Sequence, residues 1–369
     1  MKGKSLTEAK IKAAIVMHVY QEEVYPYPHF YIRLGQFFQR CYCNDQSVKL
    51  DLIKVPMKFR QRFRRLIEVF VFAWKLIPLL PAIIRCNVII STHVIDALVL
   101  SIAVSFIRVI LRRNLSLIIL DAAITRFIKP SEKVKLGFLR FFLLPADKYI
   151  GFSQGEYLFW KEHLGFSNRA CYIPLGVDTD FFQPTGGKGD YIFSAGGTAR
   201  DYPTLIMAME QVEARLLLIA RPEPGEKLFE AAKLPENVEL IPPVPDIEYR
   251  DLLSRSRFVI VPLRNVPARE GATSVVEAMA AGKAIIATKA GAASDYITDG
   301  ETGLLVEPEN VDELRQKITF LLNNPEEVER LGGNARREAK AKPRRYAAIE
   351  AVRDIIEEVY HERSQGKRD

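Results

Sequence analysis

Short apolar runs alternate along this chain with longer segments whose apolar positions recur every three or four residues. The runs at 13–19 (AAIVMHV), 48–55, 87–91, 115–120 and 148–152 have the length and β-branched content of strands. Helical spacing occupies 30–40, 58–85, 96–111 and 133–144, the second of these interrupted by Pro78 and Pro81. After a punctuated stretch at 184–189 (PTGGKG) the alternation starts again. Strands are predicted at 191–195, 215–220, 238–241, 258–262 and 284–287, and helices at 201–212, 225–233, 246–255, 311–322 and 325–340. Tyr346, Ile349, Val352, Ile356 and Val359 line one face of a last helix. Strands and helices taking turns in this way predict an α/β fold with parallel, doubly wound sheets. A chain of 369 residues suits two such domains. The restart divides them into 1–184 and 185–345, with 346–369 as a C-terminal helix.

The segment 271–308 holds the strongest chemistry. Gly271, Ala272, Thr273 and Ser274 form a small-residue entry to a helix. The first N–H groups of a helix lack intrahelical acceptors, and together with the helix dipole they attract phosphate. Glu277 stands about two turns further on, where a carboxylate can accept both hydroxyls of a ribose, as acids do in other nucleotide folds. Val275, Val276, Ala278, Met279 and Ala280 around it predict a largely buried helix, so the carboxylate needs partners. The apolar run 284–287 follows Gly282-Lys283 directly, as a buried parallel strand should.

Residues 271–283 (GATSVVEAMAAGK), together with Asp299-Gly300-Glu301-Thr302-Gly303-Leu304-Leu305-Val306, resemble the donor-nucleotide motif of the GT4-type retaining glycosyltransferases. Asn323-Asn324-Pro325, Leu331-Gly332-Gly333-Asn334-Ala335-Arg336, Ala146-Asp147 and Pro174-Leu175-Gly176-Val177-Asp178 fit that family as well. The resemblance covers 146–336 closely and the first 145 residues only in outline. It implies a GT-B architecture, two Rossmann-like domains facing each other across a cleft, with the last helix crossing back to the first domain. A nucleotide-diphospho-sugar would bind the second domain, and a saccharide or lipid-linked acceptor the first. Transfer would retain the anomeric configuration and need neither metal nor a further cofactor.

The same resemblance assigns residues. Glu277 would be the second acid of a two-glutamate motif and hold the ribose. The first acid usually stands eight residues earlier, where this chain has Arg269; Glu270 is one position closer. Either the loop is a residue shorter and Glu270 still reaches the donor sugar, or that role is lost or taken elsewhere. Negative charge builds on the leaving diphosphate, so the family supplies an Arg and a Lys after the first strand of the second domain. Arg200 stands at the Lys position, and Gly197 replaces the Arg; Arg264 and Arg269 are other cations nearby. Gly196-Gly197 lacks the full dinucleotide fingerprint, which disfavours an NAD site. Family members often end a first-domain strand in a histidine close to the donor sugar. Asp121 ends the strand 115–120, His93 ends the one before, and His18 ends the first strand. The shifted acid and the Gly197 replacement motivate a second reading, a degenerate member that binds nucleotide or glycan as partner of an active transferase. A third is another GT-B chemistry, such as a phosphorylase or a sugar-nucleotide epimerase.

Charge changes the picture of the first half. The net charge is +7, but residues 1–185 carry 26 Lys and Arg against 14 Asp and Glu, leaving 26 against 31 in the remainder. A basic front half suggests an anionic partner. Lys58, Arg60, Arg62, Arg64 and Arg65 run into an aromatic stretch ending at Trp74, a pattern suited to docking on an anionic membrane. Arg108, Arg112, Arg113, Lys133, Lys135 and Arg140 extend that face. No nucleic-acid recognition motif accompanies the charge. The first twelve residues are polar and the next apolar run is seven long, so no signal peptide is expected. The longest uncharged run within 66–120 is 97–107, shorter than a spanning helix requires. Cys41, Cys43, Cys86 and Cys171 have no zinc spacing and read as reduced thiols. The expected location is therefore cytoplasmic, peripheral at the inner face of the plasma membrane.

Overall fold

The computed structural model describes residues 11–20, 48–57, 73–74, 76–121, 124, 128–186, 189–197, 199–220, 234–265, 270–341 and 345–366, and the structural statements below concern these residues. The helices expected at 30–40 and 225–233 lie outside them. The chain divides into two units. The first comprises 1–151, 156–173 and 349–369, and the second 152–155 and 174–348. The second unit's continuous stretch therefore starts at Pro174, ten residues before the punctuated stretch at 184–189, because 174–183 packs with the second unit: Val177 and Phe182 belong to its core.

In the first unit six parallel strands run β1 (Ile11–Tyr20), β2 (Val48–Met57), β3 (Val88–Ser91), β4 (Ser116–Leu120), β5 (Lys148–Gly151) and β6 (Ala170–Tyr172), in the order β2-β1-β3-β4-β5-β6. β3, β4 and β5 are buried throughout, as the central strands of a sheet covered on both faces must be. The crossovers include α1 (Leu80–Ile84), α2 (Val94–Ile110) and α3 (Lys133–Leu143), and α4 (Gln154–Leu158) follows β5. The long helix expected from 58 is described only near its end, where Pro78 and Pro81 sit in the first turns of two short helical pieces.

The second unit has strands β7 (Tyr191–Gly196), β8 (Arg215–Ala220), β9 (Val238–Leu240), β10 (Val259–Val261), β11 (Ile285–Thr288) and β12 (Leu304–Val306), ordered β12-β11-β10-β7-β8-β9 and again all parallel. This is the dinucleotide-fold order, with its reversal between β7 and β10. Helices α5 (Tyr202–Met209), α6 (Asp246–Arg255), α7 (Ala272–Ala280), α8 (Ala293–Tyr296), α9 (Val311–Asn323) and α10 (Pro325–Ala341) cover its two faces.

Several residues of the sequence motif work in packing. A Cβ on Gly332 would lie 2.3 Å from the Gly282 carbonyl, so only glycine lets α10 approach the end of α7. Arg336 donates to the carbonyls of Phe182, Thr179 and Ala280, and burial lowers its pKa. Asp299 Oδ1 accepts from the Leu305 amide at 2.8 Å and closes the turn into β12.

The last helix, α11 (Arg345–Ser364), continues from Ile349 as part of the first unit. Val352, Ile356 and Val359 are its buried stripe. Within the first unit Arg363 Nη2 and Arg108 Nη2 each lie 2.6 Å from the Asp147 carboxylate, and Lys148 Nζ lies 2.9 Å from Glu358.

Candidate functional site

Ligands of open parallel sheets bind outside the carboxyl ends of the strands, where the strand order reverses. In the second unit this locates the loops that follow β7 and β10. β7 ends at Gly196, whose φ of +142° suits glycine, and an added Cβ would lie 2.4 Å from Arg200 Nε. The chain then turns so that Arg200 bridges Leu263 and the Arg264 amide donates to the Ala199 carbonyl at 2.9 Å. The Arg200 side chain is buried rather than solvated, and Nη2 donates to Ser274 Oγ at 2.8 Å. Tyr202 Oη fixes the Gly196 carbonyl from below at 2.6 Å. Gly197 is half-buried in the same turn and offers backbone alone.

α7 starts after Gly271, at φ +85°, where a side chain would meet Leu263 Cδ1 at 2.7 Å. The first rung of its ladder is the Val275 amide on the Gly271 carbonyl, at 3.0 Å. The amides of Ala272, Thr273 and Ser274 therefore precede the ladder, at the positive end of the helix dipole and beside the Arg200 guanidinium. The structure thus brings Arg200, Gly271, Thr273 and Ser274 together as one electropositive corner. Such a corner suits a diphosphate.

Glu270 stands at the entry to α7. It is 7% exposed, its carbonyl accepts from the Ala292 amide at 3.3 Å, and its carboxylate oxygen Oε2 is buried with no hydrogen-bond partner among the described residues. A buried carboxylate oxygen without a donor is costly and marks a place where a polar ligand would fit. Arg269 and the three residues before it lie outside the described residues.

Glu277 is half-buried on α7, and its Oε2 accepts from Tyr249 Oη at 3.0 Å. Tyr249 is a functional candidate that sequence reasoning missed. It sits on α6, its ring edge-on to Phe193 and Phe182. With Leu252 and Leu253 at i+3 and i+4 it reads as an ordinary core stripe, so nothing in the pattern announced its hydroxyl. Tyr249→Phe keeps the ring packing and removes one hydrogen-bond donor to Glu277. Nucleotide affinity is expected to fall roughly five- to tenfold with little change in melting temperature. The opposite result, a lower melting temperature at unchanged affinity, would reduce Tyr249 to a packing contact between helices.

In the first unit His93 and Asp121 follow the neighbouring strands β3 and β4. His93 caps α2: its Nδ1 accepts from the Ile95 amide at 3.3 Å. Asp121 is buried at φ +52°, unusual for a residue with a side chain, and its amide donates to the Ile150 carbonyl at 2.7 Å. Glu156 on α4, also unforeseen, is fully buried and accepts from the Ile124 amide at 2.7 Å. Lys58, Arg60, Arg62, Arg64 and Arg65 lie outside the described residues, whereas Trp74 is 76% exposed. Arg108 does not belong to an exposed basic face: it is spent on Asp147 and on the carbonyls of Leu115 and Pro145.

Two parallel, doubly wound α/β units make up a GT-B fold. The profile of glycosyl transferases group 1 matches residues 199–338 of this chain. It is 34% identical over 180 residues to the MMP alpha-(1->4)-mannosyltransferase of Mycolicibacterium hassiacum; the match covers 45% of this chain and 43% of that protein, less than half of its length. Among solved structures it resembles sucrose-phosphate synthase from Thermosynechococcus elongatus, with TM-score 0.75 and 16% identity over 95% of this chain and 100% of that one. It also resembles HepE from Anabaena in complex with UDP, with TM-score 0.72, 16% identity and the same coverage. No helix among the described residues is long and apolar enough to cross a membrane.

Proposed function

We propose that this protein is a retaining glycosyltransferase that moves a sugar from a nucleotide-diphospho-sugar to a saccharide or lipid-linked acceptor at the cytoplasmic face of a membrane, without metal. The observation that carries this reading is the corner where the buried Arg200 guanidinium meets Ser274 at the start of α7, next to a Glu270 oxygen that has no hydrogen-bond partner among the described residues. In this reading the diphosphate occupies the helix start, where Arg200 and the leading amides stabilise the charge that develops as the glycosidic bond breaks. Glu277, oriented by Tyr249, accepts the ribose hydroxyls, and Glu270 accepts from hydroxyls of the donor sugar. That the Anabaena protein of similar fold was solved in complex with UDP supports a nucleotide as ligand.

Calorimetry with UDP, GDP and ADP, in the absence of added metal, tests the reading. One nucleotide is expected to bind, and Glu277→Gln should weaken it about tenfold or more, the scale of a lost hydrogen bond to a charged group. If none binds at millimolar concentration, the donor-site assignment fails for this chain. Binding without transfer from the corresponding nucleotide sugar would favour a degenerate partner protein instead.

A further inference from the structure

We propose that the outward faces of α2 and α3 form a docking surface that inserts into the interface of an anionic lipid bilayer. The inference takes its biological sense from the membrane-borne acceptor proposed above, but it stands on different residues from the donor site. It also stands on different residues from the 58–65 basic run.

Each of these helices carries two apolar stripes where a core needs one. α2 buries Ala97, Leu100, Val104 and Ile107, and α3 buries Leu136, Leu139 and Leu143, all in the first unit's core. That satisfies the packing demand of an amphipathic helix. Yet Ile102, Phe106, Val109 and Ile110 repeat at helical spacing on the exposed side of α2. Val134, 88% exposed, Phe138 and Phe141, both at least 60% exposed, do the same on α3. The two helices lie against each other, so these stripes belong to one region of the first unit. Scattered surface apolar residues need no explanation, but exposed stripes of large side chains on two neighbouring helices mark an interaction surface.

The charges around the stripes select the occupant. Arg112 and Arg113 are exposed just past α2, and Lys133, Lys135 and Arg140 are exposed on α3. Between 97 and 146 there are two acids: Asp121 is buried, and Glu132 pairs with Lys135. Apolar and aromatic side chains projecting among cations, with acids withdrawn, fit a headgroup layer of phosphates above acyl chains. A second copy of the chain is a poorer occupant, since a two-fold contact would set the same five cations against one another.

Co-sedimentation of the full chain with phosphatidylcholine vesicles, with and without phosphatidylglycerol, tests the proposal. Wild type is expected to bind the anionic vesicles and to release them in high salt. Phe106→Ser/Phe138→Ser/Phe141→Ser and, separately, Arg112→Glu/Arg113→Glu should each lower partitioning roughly tenfold or more. These substitutions lie on exposed positions, so melting temperature and nucleotide binding should stay at wild-type values. Vesicle binding unchanged in both variants, or equal for neutral and anionic lipid, would overturn the proposal. So would a wild type that ignores vesicles and sediments as a dimer which the phenylalanine variant dissociates. Loss of vesicle binding leaves the donor-site reading intact, and loss of nucleotide binding leaves this one intact, so the two can fail separately.

Discussion

Glu270→Gln should lower sugar transfer by roughly a hundredfold or more while leaving the empty protein as stable as the wild type or more so. The two halves of this expectation have one origin. Glu270 is buried, and one oxygen of its carboxylate has no hydrogen-bond donor among the described residues. An isolated protein bears the desolvation penalty of that oxygen, about 1–3 kcal/mol. A donor sugar would supply hydroxyl donors and relieve it. The amide of glutamine has nearly the same shape and no charge, so it lessens the penalty in the empty state and weakens the interaction with the sugar. Thermal unfolding and initial transfer rates, measured on the same preparation, check both halves. A drop in melting temperature together with lost activity would mean that Glu270 supports the entry to α7, and the donor-sugar role would be abandoned. Parallel measurements on Glu277→Gln separate nucleotide from sugar recognition: it should raise the KM for donor, whereas Glu270→Gln should act mainly on kcat.

Asp147→Ala should destabilise the protein by about 3–5 kcal/mol. Asp147 is 3% exposed and accepts from Arg108 and Arg363, each at 2.6 Å, and from the Leu117 amide at 2.8 Å. It thereby ties β4, α2 and α11 of the first unit through one carboxylate. Burial already pulls the Arg108 guanidinium below its usual pKa, with Asp147 opposing that effect. Removing the acid leaves two cations in a low-dielectric site with a single amide freed beside them. Arg363→Met should destabilise less than Asp147→Ala, because Asp147 then keeps Arg108 and the amide. Urea unfolding of the two variants decides; a loss under about 1 kcal/mol for Asp147→Ala would show that water replaces the carboxylate. Because the pair is shielded, its contribution should change little with salt, unlike the vesicle binding proposed for α2 and α3.

Periodicity by itself determined the α/β class of this chain and its parallel, doubly wound sheets. Strands of β-branched residues alternate with helices of helical spacing from 87 to 151 and from 191 to 340, and among the described residues, which leave out the helix expected at 225–233, the structure places the expected elements within a few residues of their bounds. Local order is legible because a buried parallel strand must be apolar on both faces, whatever its neighbours are. The motif at 271–283 and 331–336, too, was legible, since Gly271, Gly282 and Gly332 are backbone requirements written directly in residue type. What tertiary structure alone decided is partnership between distant residues. Arg200 and Ser274 are 74 positions apart, and Tyr249 and Glu277 are 28 apart. The division at Pro174 depends on which unit the connecting segment packs with. His93 turned out to cap a helix, a role that depends on where α2 begins. Arg108 and Phe106 differ in the same way: one is drawn inward by an aspartate 39 residues away, the other left outside by a core already filled. Hydrophobic pattern is a property of each segment, whereas hydrogen bonds and exposure are set by whichever segments the sheet order brings alongside.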